Sequence, residues 1–380
     1  LENREIFNYD KLEISTVTKK SNGTQFVSVG DFNHLSDVQF EFSVSELFET
    51  RLKKIGVNST DKIEFVNIIF RNKFTFTNRE IFQPALEFVK CYFYFNPSFT
   101  DKTFENKIKF KLCEFERFYI NNAKFDEYVK FYNCLFFEKA IISKCSFNDN
   151  VVFTKSTFHG NCLFTYSNFE KLGIFSRTKF HDKDENPTAL DLSQAIINGQ
   201  LIFFETVLGD YKAFKIDSSS INFDKTINEG DVIPIQNKRE TFRIIKDQLL
   251  QQNNIIEAER YAKLEKQTLW TETYKDFKIK NTSNLILLSL NKISNNYKTN
   301  WLYGLVFTIV IAFICHIILS ISDVYKFSEF KNLAKLVNVA DFSFYEKKDI
   351  SPRLYAAYFL AKISIGFGIY QLIQAFRKYK

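Results

Sequence analysis

Methionine is absent from all 380 residues, and the chain opens on Leu1, which fits an initiator that is missing or is not counted as Met. Cysteine is sparse. Cys91, Cys113, Cys134, Cys145, Cys162 and Cys315 include no Cys-x-x-Cys pair, so neither a zinc site nor a disulfide framework is indicated. Four histidines lie scattered at positions 34, 159, 181 and 316, and no His-Glu-x-x-His segment exists. There is no Gly-x-Ser-x-Gly elbow and no glycine-rich phosphate loop, and Gly366-x-Gly368 is too short to count as one. These absences argue against an enzyme and give no reason to expect a catalytic residue, a cofactor or a metal. Residues 1–30 lack a continuous apolar stretch, so no N-terminal signal peptide is expected. Acidic surplus is lacking too, since 51 Lys and Arg against 44 Asp and Glu leave a formal charge of +7. No platform of aromatic and arginine side chains stands out, and nucleic acid is not an expected partner.

Phenylalanine, by contrast, is abundant, with 45 copies. From Phe65 the series runs through Phe70, Phe76, Phe82, Phe88, Phe93, Phe99, Phe104, Phe110, Phe115, Ile120, Phe125, Phe131, Phe136, Ile142, Phe147, Phe153, Phe158, Phe164, Phe169, Phe175 and Phe180. Every step is five or six residues. Such a spacing matches neither a helix of period 3.6 nor a strand of period 2, and marks a unit larger than one element. A solenoid meets the pattern if each short side sends one large side chain to the axis and then turns a corner. Phe125, Phe136, Phe147, Phe158, Phe169 and Phe180 lie 11 apart, interleaved with Phe131, Ile142, Phe153, Phe164 and Phe175. Four sides predict a coil of about 22 residues.

The position two before each rung agrees. From Phe110 to Phe180 it holds Ile108, Cys113, Phe118, Ala123, Val129, Cys134, Ala140, Cys145, Val151, Ser156, Cys162, Ser167, Gly173 and Thr178, most of them small. In alternating backbone both positions face the same way, so a small residue beside each ring lets rings stack without overfilling the axis. Four of the cysteines occupy this slot, where a thiol behaves as a small apolar group. Reduced buried thiols fit a cytosolic location for this part of the chain.

The spacing and the small residue before each rung resemble the pentapeptide-repeat family, in its Phe-centred variety. The resemblance implies a mainly β fold, a right-handed quadrilateral β-helix with the central Phe and the preceding small residue both inward. It covers residues 65–180, is interrupted by a loop expected at His181–Pro187, and resumes loosely through Leu192, Ile197, Ile202, Leu208 and Phe214. Members that protect DNA gyrase present strong negative charge in the shape of a duplex, for which a basic chain is poorly suited.

A solenoid exposes strand edges at its ends, so caps are expected. Residues 1–60 read as short strands and then a helix near Ser45–Lys54, stopped by Gly56, and form an N-terminal cap region. Residues 61–232 make the β-helix. Residues 235–298 form a helical linker and cap, with Phe242, Ile245 and Leu249, then Ile255, Ala258, Ala262 and Leu264, at helical spacing around a break at Gln252–Asn254. The pieces Phe242–Lys246 and Glu257–Tyr261 resemble the helical hairpin that follows the repeat in membrane-attached members of the family.

Residues 299–380 read as a membrane module of two transmembrane helices. Leu302–Ile321 holds no Asp, Glu, Lys or Arg in 20 residues, about 30 Å of helix and the thickness of a hydrocarbon core. Trp301 and Tyr303 stand at its start as interface anchors. A second span runs from Leu354 to Phe376 after Ser351-Pro352, apolar except for Lys362, Ser364, Gln371 and Gln374. This closing segment resembles that of pentapeptide-repeat membrane proteins, in which a two-helix module of ion-channel-like plan follows the repeat. Lys280, Lys292 and Lys298 precede the first span and Arg377, Lys378 and Lys380 follow the second, which predicts a multi-pass protein of the inner, cytoplasmic membrane with both termini in the cytoplasm. The 322–353 connection contains no glycine, so a potassium-type filter loop is excluded.

Steps of four from Lys362 reach Gly366, Tyr370 and Gln374, a stripe expected to line a pore or contact another helix, with snorkelling of Lys362 as the plain alternative. The function expected is non-enzymatic: the spans oligomerise into an ion-channel-like or membrane-perturbing homo-oligomer, with the β-helix as sensor or platform. The alternative is a membrane-tethered scaffold that binds a protein partner on the β-helix face.

Overall fold

The structure is a computed structural model. It describes residues 14–17, 26–30, 35–39, 41–55, 61–76, 80–216, 232–275, 281–322, 325, 330–341, 343 and 351–377. Gly56, His34, Lys280, Lys378, Lys380, residues 217–231 and, in the 322–353 connection, residues 323–324, 326–329, 342 and 344–350 lie outside the described residues, and with them the expectations placed there. The chain divides into two compact units, 1–252 and 253–380.

The first unit is a parallel β-solenoid, with about five turns in its regular section. Its strands stack in sheets of nine, eight, six and four. Register advances by 21 to 23 residues per coil from Phe65 to Phe180, and by the expected 22 in pairs such as Phe125 opposite Phe147 and Phe136 opposite Phe158. All 22 ladder positions from Phe65 to Phe180 are buried. Their rings form columns along the stack, with centroids 5.0 Å apart for Phe110 and Phe131, 5.0 Å for Phe131 and Phe153, and 5.2 Å for Phe104 and Phe125 and for Phe125 and Phe147. Each such contact contributes about 0.5–1.5 kcal/mol beyond the burial of the rings.

Two edges of this stack are dressed by other segments. At the N-terminal side, β1 (Ile14–Val17) pairs antiparallel with β2 (Phe26–Val29), and β2, β3 (Ser36–Val38) and β4 (Phe42–Ser43) pair in parallel with 62–66, 68–70 and 74–75. The last three therefore supply a coil beneath the first Phe rungs, with the Phe42 ring stacked 5.3 Å from Phe74. A short helix, α1 (Val44–Leu47), follows, capped by the Ser43 hydroxyl and continued by a π-helical turn over Phe48–Leu52. At the other edge, α2 (Ile235–Gln251) covers the last coil. Thr241 Oγ1 and Gln248 Oε1 accept from the backbone N–H of Leu192 and Leu201, and Gln252 Nε2 donates to the Leu201 carbonyl. Backbone groups of the last coil at Leu192 and Leu201 thus end on side chains rather than on an open edge.

One rung differs from expectation. Six additional residues at 182–187 raise the register step to 28, as in Phe180 opposite Leu208. Leu192 and Leu208 are buried and Ile197 is half-buried, yet Ile202 is also only half-buried, and the inward position is Phe203, stacked 5.4 Å from Phe175. The alternation of five and six resumes as 192, 197, 203, 208, and a count of five after Ile197 falls one residue short, which in a strand turns the side chain to the other face. Phe214 is exposed, not a rung.

The second unit is helical: α3 (Ile255–Lys275), α4 (Thr282–Asn295), α5 (Trp301–Leu319), α6 (Phe330–Val337) and α7 (Pro352–Phe376).

Candidate functional site

Two of these helices, α5 and α7, are long and apolar enough to cross a membrane, with mean hydropathy 2.6 and 1.4. Only 28% and 33% of their apolar windows are buried, unlike the enclosed core helix of a soluble domain. The Asn300 side chain caps α5 by accepting from Leu302 and Tyr303 N–H, and Ser351 Oγ caps α7 by accepting from Leu354 N–H, with Pro352 at the first turn.

The seam between α5 and α7 is made of small residues. Gly304, Thr308 and Ala312 recur every four residues on the buried side of α5, followed by His316. A Cβ on Gly304 would stand 3.0 Å from the Leu372 Cα, and one on Gly368 would stand 2.7 Å from Thr308 Oγ1. Backbones approach closely here because nothing but hydrogen projects between them. Thr308 Oγ1 donates to the Gly304 carbonyl at 2.7 Å and so carries no unpaired donor into the seam.

Around this seam the structure gathers the polar groups. Lys362 is buried, and its Nζ donates to the carbonyls of Lys335 (3.0 Å) and Asn338 (2.6 Å), at the C-terminal end of α6. Its ammonium also lies 5.4 Å from the Tyr358 ring centroid. A cation against the terminal carbonyls of a helix meets both their lone pairs and the negative end of its dipole. His316 Nδ1 lies 2.8 Å from the Tyr325 hydroxyl, and Cys315, half-buried, packs against the apolar cluster that includes Ala312, Leu319 and Tyr325. Gln371 meets Asn291 and Asn295 from α4 through side-chain hydrogen bonds, one of them Nε2 to Asn291 Oδ1 at 3.4 Å. Outside α5 and α7, the Asp341 carboxyl is held below its ordinary value by hydrogen bonds from Ser343.

The stripe expected from the sequence is split. Lys362 faces inward, and a Cβ on Gly366 would meet Val339 at 3.7 Å, so both lie toward residues 335–339. Tyr370 is exposed, and Gln374 hydrogen-bonds its hydroxyl on the outward surface. The reason is periodicity. The buried face of α7 runs Leu354, Tyr358, Ala361, Ile365, Gly368 and Ala375, and a strict step of four drifts about 40° per step off a 3.6-residue repeat. Tyr325, Tyr358 and the Gly304-Thr308-Ala312 row join this site from outside the expected stripe, as does Gln371, one of the polar residues of the second apolar run. The row was legible as small residues four apart.

On the solenoid, ladder residues Phe125, Phe131, Phe136, Phe147, Phe153, Phe158, Phe164, Phe169, Phe175 and Phe180 are all buried and fill the axis. Its outer wall carries a concavity of about 430 Å³ bordered by Glu87, Lys109, Lys111, Lys130, Tyr128 and Tyr132. Lys130 and Lys155 lie 5.0 and 5.6 Å from the Tyr132 ring centroid. His159 and His181, scattered in sequence, stand one coil apart with ring centroids 5.7 Å apart, and the separation of 22 residues was the signal for it. Among the described residues no group of three or more His, Cys, Asp or Glu could hold a metal ion. Comparison with family models, with curated proteins and with solved structures gives no match.

Proposed function

We propose that the chain is a non-enzymatic, membrane-tethered scaffold: a right-handed quadrilateral β-helix of the pentapeptide-repeat type, displayed on the cytoplasmic side of the inner membrane by two spans. The observation that carries this reading is the use made of Lys362. Its donors are directed to α6 carbonyls within one copy, which suits a closed two-span anchor better than a pore wall. The rod offers the partner-binding surface, and the basic, tyrosine-lined concavity around Lys109 and Lys130 fits an acidic protein partner by charge.

Full-length protein reconstituted in planar bilayers tests the anchor: no unitary current is expected, and stepwise currents would reject it. For the platform, cross-linking in cells with the full chain should yield a partner that is lost on Lys109→Glu with Lys130→Glu. A partner retained by that variant would remove the concavity from the account.

A second reading, a homo-oligomeric, channel-like assembly, is favoured by one feature. Tyr370 and Gln374 form a polar pair on the outward surface of α7, where a second copy would meet it. Stepwise currents abolished by Gln374→Leu would establish that reading instead.

A further inference from the structure

α4 is 14 residues long, about 21 Å at 1.5 Å per residue and short of the roughly 30 Å of a hydrocarbon core. It nevertheless exposes Ile286, Leu287, Leu290 and Ile293, which share an arc of about 120° at 100° per residue. Its opposite side is tied down. Leu288 is buried, Asn291 and Asn295 hydrogen-bond Gln371 of α7, and Ser289 accepts from the Trp270 indole at 2.9 Å. Three successive left-handed residues, Asn296, Tyr297 and Lys298, then turn the chain directly into α5. The apolar arc is therefore fixed beside the start of a span rather than free to fold inward. Residues 281–300 contain no acid, and Lys292 is exposed on the side of α4 opposite the arc, its ammonium 4.7 Å from the Trp270 ring centroid.

We propose that α4 is a third membrane element: it lies in the plane of the bilayer interface, with Ile286, Leu287, Leu290 and Ile293 among the upper acyl chains and the acid-free opposite side, which carries Lys292, turned toward the anionic headgroups. The inference rests on the membrane reading of α5 and α7. Continuity with the lipid-facing surface of α5 names lipid as the occupant, and the absence of acid fits an anionic leaflet. An amphipathic helix with one apolar face and lysine on its polar face buries the apolar face about 5–10 Å into the boundary between headgroups and acyl chains.

The test places the photoreactive residue p-benzoylphenylalanine, one position at a time, at Leu290, Ile293, Asn284 and Val310 of the full chain. Each variant is reconstituted in phosphatidylcholine–phosphatidylglycerol vesicles, irradiated and analysed by mass spectrometry. Lipid adducts at Leu290 and Ile293, with loss of the adduct at Asn284 on the other side of α4, are the result expected. An adduct at Val310, in the middle of α5, together with none at Leu290 or Ile293, overturns the inference and leaves the spans standing. Cross-links from Leu290 to a second copy overturn it as well, as does equal lipid labelling at Asn284. Absence of lipid at Val310 removes the membrane reading itself and the inference with it.

Discussion

The Ser156 hydroxyl donates to the Phe131 carbonyl at 3.2 Å and accepts from the Cys134 N–H at 3.2 Å, and it belongs to a column. Cys91, Cys113 and Cys134 donate their thiols to the Phe65, Phe88 and Phe110 carbonyls at 3.4–3.5 Å, and Thr178 and Thr206 reach those of Phe153 and Phe175 at 2.7 Å. In this column the slot before the rung thus holds a small donor that satisfies a corner carbonyl of the neighbouring coil, not only a small volume. Ser156→Ala should lower stability by about 1–3 kcal/mol by leaving buried groups unpaired, whereas Cys134→Ser should stay near neutral. Urea melts of both variants check the contrast, and equal losses would reduce the slot to packing. Burial pushes the Cys145 thiol up to about 12, and drives Cys91, Cys113 and Cys162 well above their ordinary value near 9. The unfolded chain then releases protons near pH 9 that the folded chain keeps. Stability is therefore full below pH 9 and falls as pH rises toward the folded values. Urea midpoints at pH 8 and pH 10 should show the drop, and Cys145→Ser should lessen it.

In the helical unit the informative contrast lies between two glycines of α7 that the sequence does not separate. Gly368 meets Thr308 at a distance no Cβ tolerates, while Gly366 has Val339 at ordinary van der Waals range. Gly368→Leu should force α5 and α7 apart, at a cost of about 1–3 kcal/mol or more, and Gly366→Leu should be nearly silent. Thermal melts in detergent, followed by helical circular dichroism, decide the matter. Equal effects would mean that the α5–α7 seam is not built as described. Lys362 belongs to the same packing logic. Once α6 ends beneath it, the most conspicuous charge of α7 is a helix cap, and only the fold of residues 330–341 makes that visible.

The molecule was legible in sequence to the extent that its parts are periodic. Twenty-two evenly spaced rungs announced the solenoid, a charge-free run announced α5, and a long run apolar but for a few polar residues announced α7. What stayed hidden lies where period and contact part company: Phe203 after a six-residue insertion, His159 and His181 one coil apart, and Lys362 turned away from Tyr370. The same distinction governs how the chain should unfold. Coils touch only their neighbours, so a solenoid transmits destabilisation along its stack, while the compact division between Gln252 and Asn253 separates that stack from the helical bundle. Heating in detergent should accordingly give two transitions, one read by β-type circular dichroism and one by helical signal. Ser156→Ala is expected to move only the first and Gly368→Leu only the second, because sites far apart with no shared partners act additively. A single transition shifted by both variants would mean that the two units unfold as one cooperative body, and a rod acting independently of its anchor would then have to be abandoned.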